Sequence, residues 1–530
     1  MTGKPILQEF LRLYFSFNPH AATERGYPGF DDRVPRFTRQ GFREFKSALS
    51  KLEERLNSEK PCGLDEEIDC LLFQSAIKLS TFFGDSLDWV RTNPLFHVSS
   101  LLESIEELDL REDIPEARRH EFLEKRLLEA AAVLQDVCNE LEDPVDCLTD
   151  AALEMIEAAI HDLAGRYPKG VSPSPLHEAA ERARHALEKA HEHLTRLRSD
   201  ARPFAPMGEE RYRWLLRNLH FLEDDLSLFR RIGEETIEEA KRLRAGFDAS
   251  AVLEGDPPSG FGADQFLEHL RAEMEHVRNF VIENRLVLVP DGEVRIRETP
   301  PYLQPLIGGA SYQPPPAFFS GARTGQFFIP PIPRRMTRTQ KKHYHKIVLN
   351  RWRRNLIVHE LYPGHHVQFL HALAHPSGIR KVHDNDMMVE GWAFYCERLL
   401  YEAGLFDGAP SPLPAMNQHF RGVRVFVDMA IHTGEMDFAG VERYMRQMLS
   451  VKTADWVTRE IVRYITEPTQ ALSYAVGRQR ILDLRQEYRD AAGASGFSLF
   501  EFHNRFLSEG SIPIPLIRRK LLAGPATGAQ

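Results

Sequence analysis

The chain has 530 residues, 42% hydrophobic and 10% aromatic, an ordinary composition for a globular protein with a large core. Its net charge of −10, from 67 Lys and Arg against 77 Asp and Glu, argues against a dedicated nucleic-acid binder, which carries a basic excess. Five cysteines without a Cys-x-x-Cys pair argue against a disulfide framework or a cysteine-ligated zinc.

The opening stretch "MTGKPILQEFLRLYFSFNPH" lacks the apolar run and small-residue cleavage site of a signal peptide. No segment approaches ~18 uninterrupted apolar residues, so a cytoplasmic protein without a membrane partner is expected. Residues 1–260 read as an N-terminal helical region. "EARRHEFLEKRLLEAAAVLQDVCNEL" (116–141) repeats apolar residues every three or four positions with charges between, and predicts an amphipathic helix. Ser172-Pro173-Ser174-Pro175 marks a second helix start, with a helical pattern running to residue 200. Residues 261–345 combine a helix with a β-rich, Pro/Gly-rich segment. "RLVLV" (285–289) and "VRIRE" (294–298), joined by "PDGE", predict a β-hairpin. "ASYQ" and "GQFFI", within 298–335, predict short strands of a small sheet. The basic stretches 334–346 and 351–354 read as solvated charged faces. Helix returns over 346–522, the C-terminal helical region, and residues 523–530 form a tail expected to be disordered. The three regions are expected to form one integrated catalytic unit.

Within the last region stands "NLIVHELYPGHHVQFLHAL" (355–373). The zinc-peptidase pattern His-Glu-x-x-His works because residues four apart share a helix face and the intervening Glu reaches the attacking water. Here the fourth residue after His359 is Pro363, and the histidines arrive late, as His365 and His366. Pro363 cannot donate to the His359 carbonyl, and Gly364 tolerates unusual backbone angles. The Pro-Gly pair therefore reads as a two-residue insertion in a metal-binding helix. On that basis His359 and His365 bind metal and Glu360 is the general base. His366 is then an outer partner, or the ligand if the helix merely kinks. The apolar run "NLIV" drives His359 and Glu360 inward, where a charge must be paired or metal-bound.

A third ligand is expected on a following helix, and "NDMMVEGWAFYCERLLYEAG" (385–404) offers Glu390 beside Gly391, which lets a backbone or substrate approach. Glu397, seven residues on, reads as an outer partner. One Zn2+ per chain, held by His359, His365 and Glu390, is the expected cofactor. Two weaker patterns, Glu188–His191 and Glu273–His276, match the Glu-x-x-His pairs of helical di-iron proteins.

These residues carry a resemblance. "HELYPGHH" (359–366), "EGWAFYCE" (390–397), "FNPHAATERGYPGFDD" (17–32), 467–487 and 497–517 resemble the bacterial domain-of-unknown-function family 885. "RVFVDMAIHTGEMDFAGVERYM" (424–445) is similar to that family's Asp-x-x-x-His segment, through Asp428 and His432. The resemblance implies a mainly α, zincin-like helical metallopeptidase architecture with a small β-sheet element before the catalytic helix, akin to gluzincin carboxypeptidases and oligopeptidases. It implies short peptides as substrates. Many members of the family begin with a secretion or lipoprotein signal, which this sequence departs from.

A peptidase also needs donors for the oxyanion and a cation for a terminal carboxylate. Tyr474 and Arg478 share a helix face and are candidates for these roles. His432, oriented by Asp428, is either an oxyanion donor or a core histidine, and His503 reads as structural. The segment 311–331 offers an extended edge for a substrate backbone. Two alternatives to a metallopeptidase use the same residues: a metal-dependent amidase or deacylase, and a non-catalytic binding protein on a peptidase scaffold.

Overall fold

The computed structural model describes residues 5–167, 174–304, 309–319, 321, 323–408, 411–493 and 496–523. The expected disorder after Ala523, and Ser172-Pro173 of the second helix start, fall outside these residues. The protein is mainly helical, with three short strands among the described residues. Several helices begin where the sequence supplies acceptors for their first free N–H groups. Ser174 accepts from His177 N ahead of Pro175, Thr337 and Gln340 form a capping box, and Asn385 accepts from Met388 N. The predicted amphipathic helices are Glu116–Glu140 and Pro175–Arg198, with Leu127, Leu134, Ala183 and Leu187 on their buried sides.

Two hydrophobic cores hold these helices together, and they divide the chain differently from the three sequence regions. One gathers Phe10, Phe73, Leu215 and Phe266 with Val358, Trp392, Leu472 and Phe506. The other gathers Leu101, Leu134, Ile156 and Leu187 with Val427, Val457 and Ile461. Each core therefore mixes early and late helices.

The strands are β1 (Glu293–Glu298), β2 (Ser311–Gln313) and β3 (Thr324–Ile329), in the order β1-β3-β2. β1 runs parallel to β3, and β2 antiparallel to it. The "ASYQ" and "GQFFI" strands thus form as expected, but the hairpin does not. Residues 285–289 take no ladder because other helices claim their backbone. His503 Nδ1 faces Leu286 O at 2.6 Å, His371 Nε2 faces Leu288 O at 2.9 Å, and Asn504 Oδ1 accepts from Leu288 N at 2.8 Å. The basic stretch 351–354 is also not wholly solvated. Arg354 is buried, donating to both oxygens of Glu273 at 3.1 Å and to Leu405 O at 2.7 Å. Among the described residues no helix is long and apolar enough to cross a membrane.

Candidate metal centre

The helix Arg354–Glu360 carries His359 and Glu360 into the interior, with Ile357 and Val358 fully buried beside them. It stops at the Pro-Gly pair, and a new helix, His365–Ala374, starts at once. Between the two, Gly364 N donates to Val358 O at 3.1 Å and Val367 N to Leu361 O at 3.3 Å. These bonds span six residues instead of the helical four, so the turn holds two extra residues. The Tyr362–Pro363 peptide is cis. Gly364 packs so closely that a Cβ there would stand 1.8 Å from the His359 carbonyl oxygen. The bulge is pinned from outside by Trp392, whose indole N–H donates to Pro363 O at 2.9 Å.

Glu390 arrives on the helix Asp386–Glu402. One residue on, Gly391 meets Gly477 of the helix Gln470–Ala492, and a Cβ at Gly391 would lie 2.6 Å from Gly477 Cα. The backbone approach expected at Gly391 is therefore helix on helix, and it sets Glu390 beside Gln470 and Tyr474. Ligand atoms of His359, His365 and Glu390 lie within 4.8 Å of one another. His359 Nε2 is 3.4 Å, and His365 Nε2 3.6 Å, from Glu390 Oε2. The outer nitrogens are held as well. His359 Nδ1 meets Glu397 Oε1 at 2.8 Å, Glu397 Oε2 accepts from Asn355 Nδ2 at 2.8 Å, and His365 Nδ1 faces Gln368 Oε1 at 3.4 Å.

The charges at this centre favour a cation. Burial raises the Glu390 carboxyl, yet the two imidazoles beside it outweigh burial and hold it well below the ordinary range. Burial lowers His359, and its contacts with Glu390 and Glu397 outweigh that, leaving it raised to about 9. Burial raises Glu360, against the pull of His359 and His365. Burial pushes Tyr474 up to about 12, reinforced by Glu390, so its hydroxyl keeps its proton. Among the described residues Glu390 Oε2 is buried without a hydrogen-bond partner, which leaves it available as a metal ligand. Two imidazoles and a carboxylate, each fixed from behind, are a donor set that fits Zn2+.

A family model matches residues 19–521, described as a bacterial protein of unknown function, DUF885. The chain belongs to the DUF885 family. Two solved structures share its fold. One is a candidate lipoprotein from Colwellia psychrerythraea, 18% identical, with a TM-score of 0.77 over 97% of this chain and 98% of that one. The other is a candidate lipoprotein of unknown function from Shewanella oneidensis, 20% identical, with a TM-score of 0.73 over 98% and 99%. Among curated proteins none matches.

Other expected site residues of this DUF885 chain lie apart from the cluster. His366 turns away, its Nδ1 2.8 Å from the Tyr312 hydroxyl of β2, and burial lowers it to about 4. His432 Nε2 faces Tyr464 O at 3.0 Å and, as expected, Asp428 Oδ1 at 3.5 Å, in the core. Asp428 accepts from Thr469 N at 3.2 Å and Leu472 N at 3.0 Å, capping from a neighbouring helix the one that carries Tyr474. Arg478 donates to Glu239 at 2.9 Å and leaves the cluster to Tyr474 alone. His503 is buried against Tyr395 and Leu286. The Glu-x-x-His pairs do not converge on a di-iron site: Glu188 is engaged by Arg184 and Glu273 by Arg354.

Sequence reasoning missed four residues that touch the site. Gln470 Nε2 donates to Glu390 Oε1 and to the Tyr474 hydroxyl, each at 3.1 Å. Asn355 and Gln368 stand behind the two histidines. Arg421, on the helix Leu413–Thr433, lies 4.1 Å over the Tyr474 ring. Gln470 and Tyr474 are one turn apart, a legible signal. Arg421 offers none, because it reaches the site from another helix.

Proposed function

We propose that this protein is a zinc-dependent hydrolase, a metallopeptidase that cleaves short peptides. The observation that carries the proposal is the convergence of His359, His365 and the orphaned Glu390 oxygen next to Glu360. A Zn2+ held by these three side chains would polarise the scissile carbonyl and lower the pKa of water toward about 7. Glu360 takes the proton of the attacking water and passes it to the leaving amine, as the new C–O bond forms and the C–N bond breaks. Tyr474, which keeps its proton, donates to the developing oxyanion. Glu397 and Gln368 hold the ring orientations of His359 and His365. A peptide as substrate rests on the likeness of residues 359–366 to the zinc-peptidase helix.

Elemental analysis of the wild type and of His359→Ala, His365→Ala, His366→Ala and Glu390→Ala, joined to a peptide-hydrolysis screen, tests this. The expected result is about one zinc per chain, kept in His366→Ala and lost in the other three, with Glu360→Gln holding zinc but not turning over. A wild type that takes up no metal, even with zinc added back, would defeat the proposal.

A further inference from the structure

The Tyr474 ring lies beside both the candidate metal centre and a pair of arginines. The ring lies nearly parallel to His359, at an interplanar angle of 15° and 6.1 Å between centroids. Arg421 lies 4.1 Å from its centroid and Arg424 4.9 Å. The two guanidiniums differ in how their charge is answered. Arg424 donates to Glu460 at 2.9 Å and to the Tyr464 hydroxyl at 3.0 Å. Arg478, the cation that sequence spacing favours for a carboxylate, is likewise occupied, by Glu239. Arg421 has no carboxylate in ion-pair reach among the described residues, and its Nε is buried without a hydrogen-bond partner. The residue is half-buried, and its two outer nitrogens are not among the buried unpartnered atoms. Its field also acts on Glu360, Glu397 and Tyr474, which places it within range of the reacting groups.

A half-buried guanidinium with no carboxylate in ion-pair reach among the described residues, its carbon 4.1 Å from an aromatic centroid, is held in position by that cation–π contact. It presents a fork suited to a carboxylate. We infer that Arg421 recognises the free C-terminal carboxylate of the substrate, so that the enzyme acts on peptides close to their carboxyl end. The inference rests on the hydrolase assignment above and adds the substrate class to it. A carboxylate bonded to Arg421 would lie beside the same Tyr474 ring that runs nearly parallel to His359, so one short substrate can reach both Arg421 and the metal-binding cluster.

The test uses the full-length, zinc-loaded protein and a pooled library of N-acetylated tripeptides, supplied once as free acids and once as C-terminal amides. The wild type should prefer the acids by roughly 10- to 100-fold in kcat/KM, the weight of one charge-assisted bidentate contact. Arg421→Met keeps the stem over Tyr474 and should bring the ratio of acids to amides close to one. Arg421→Lys keeps the charge, loses the fork, and should retain part of the preference. Calorimetry of the same peptides on Glu360→Gln, with and without Arg421→Met, should show the same ratios in binding without turnover. Equal handling of acids and amides by the wild type, or a preference that survives Arg421→Met, overturns the inference while leaving the hydrolase intact. Cleavage of neither library would overturn the hydrolase assignment, and this inference with it.

Discussion

Gly364→Ala is the most direct probe of the bulge. An added Cβ would lie 1.8 Å from His359 O and 2.5 Å from both His359 C and Val358 O, where real Cβ contacts do not fall below 3.0 Å. All three obstacles are backbone, so no side chain can rotate away, and the chain between the two histidines must move by more than ~1 Å. Overpacking of this kind costs about 3 kcal/mol, equivalent to about 3 °C in Tm for a chain of this size. The same shift exceeds the tolerance of about 0.2 Å for metal-ligand distances, so zinc affinity should fall at least tenfold. Thermal unfolding in chelator and in zinc separates the two effects. Zinc at a thousandfold excess over the wild-type Kd should raise the wild-type Tm by about 4 °C and that of the variant by about 2.5 °C or less. Gly165→Ala is the control. It is an exposed helical glycine with nothing within 4 Å of an added Cβ, and should melt at or slightly above the wild type. A Gly364→Ala protein with wild-type Tm in chelator and the full rise in zinc would refute the steric reasoning.

Two further outcomes follow from the surroundings of the centre. Glu397→Gln leaves His359 Nδ1 and Asn355 Nδ2 facing an amide that can accept from one of them only through the right flip. Zinc affinity, measured by competition with a chromophoric chelator, should drop by about 10- to 100-fold, and an unchanged affinity would remove Glu397 from the site. Burial raises Glu460, but Arg424 and Arg463 outweigh it and hold it at about 2. A carboxyl lowered on folding contributes stability that is present above its unfolded pKa, near 4.5, and lost as pH falls toward 2. In urea titrations the gap between wild type and Glu460→Gln should therefore narrow from ~3 kcal/mol at pH 6 to ~1.5 kcal/mol at pH 3. A gap that does not vary with pH would contradict the ion-pair account.

Much of the centre was legible because its decisive features are local. Pro363 lacks an N–H and Gly364 lacks a Cβ, and those two covalent facts already imply an inserted turn between His359 and the next histidine. That His365 faces Glu390 while His366 faces Tyr312 depends on the strand β2 lying behind the bulge. The helices Glu116–Glu140 and Pro175–Arg198 followed from apolar spacing and a Ser-Pro start, signals that also act over a few residues. The hairpin at 285–298 failed for the opposite reason. Its propensity was real, but His371, His503 and Asn504, far along the chain, satisfied the backbone of the first strand and left β1 to pair with β3.

The cation beside the centre shows the same division. Four-residue spacing correctly puts Arg478 on the side of its helix that carries Tyr474, yet one helix face is wide enough to serve two neighbours. Glu239, on the helix Leu226–Ala245, takes Arg478, and the helix Leu413–Thr433 lays Arg421 and Arg424 on Tyr474. The sequence by itself determined the candidate ligand residues, the candidate base and the bulge, because covalent structure and helix geometry act at short range. Only the tertiary structure decided which histidine faces Glu390, which arginine has no carboxylate in ion-pair reach among the described residues, and that Asn355 and Gln368 join Glu397 behind the ligands. Those outcomes depend on elements from tens of residues apart, as for His366 and Tyr312, to more than two hundred, as for Arg478 and Glu239, and only the packed fold brings them together.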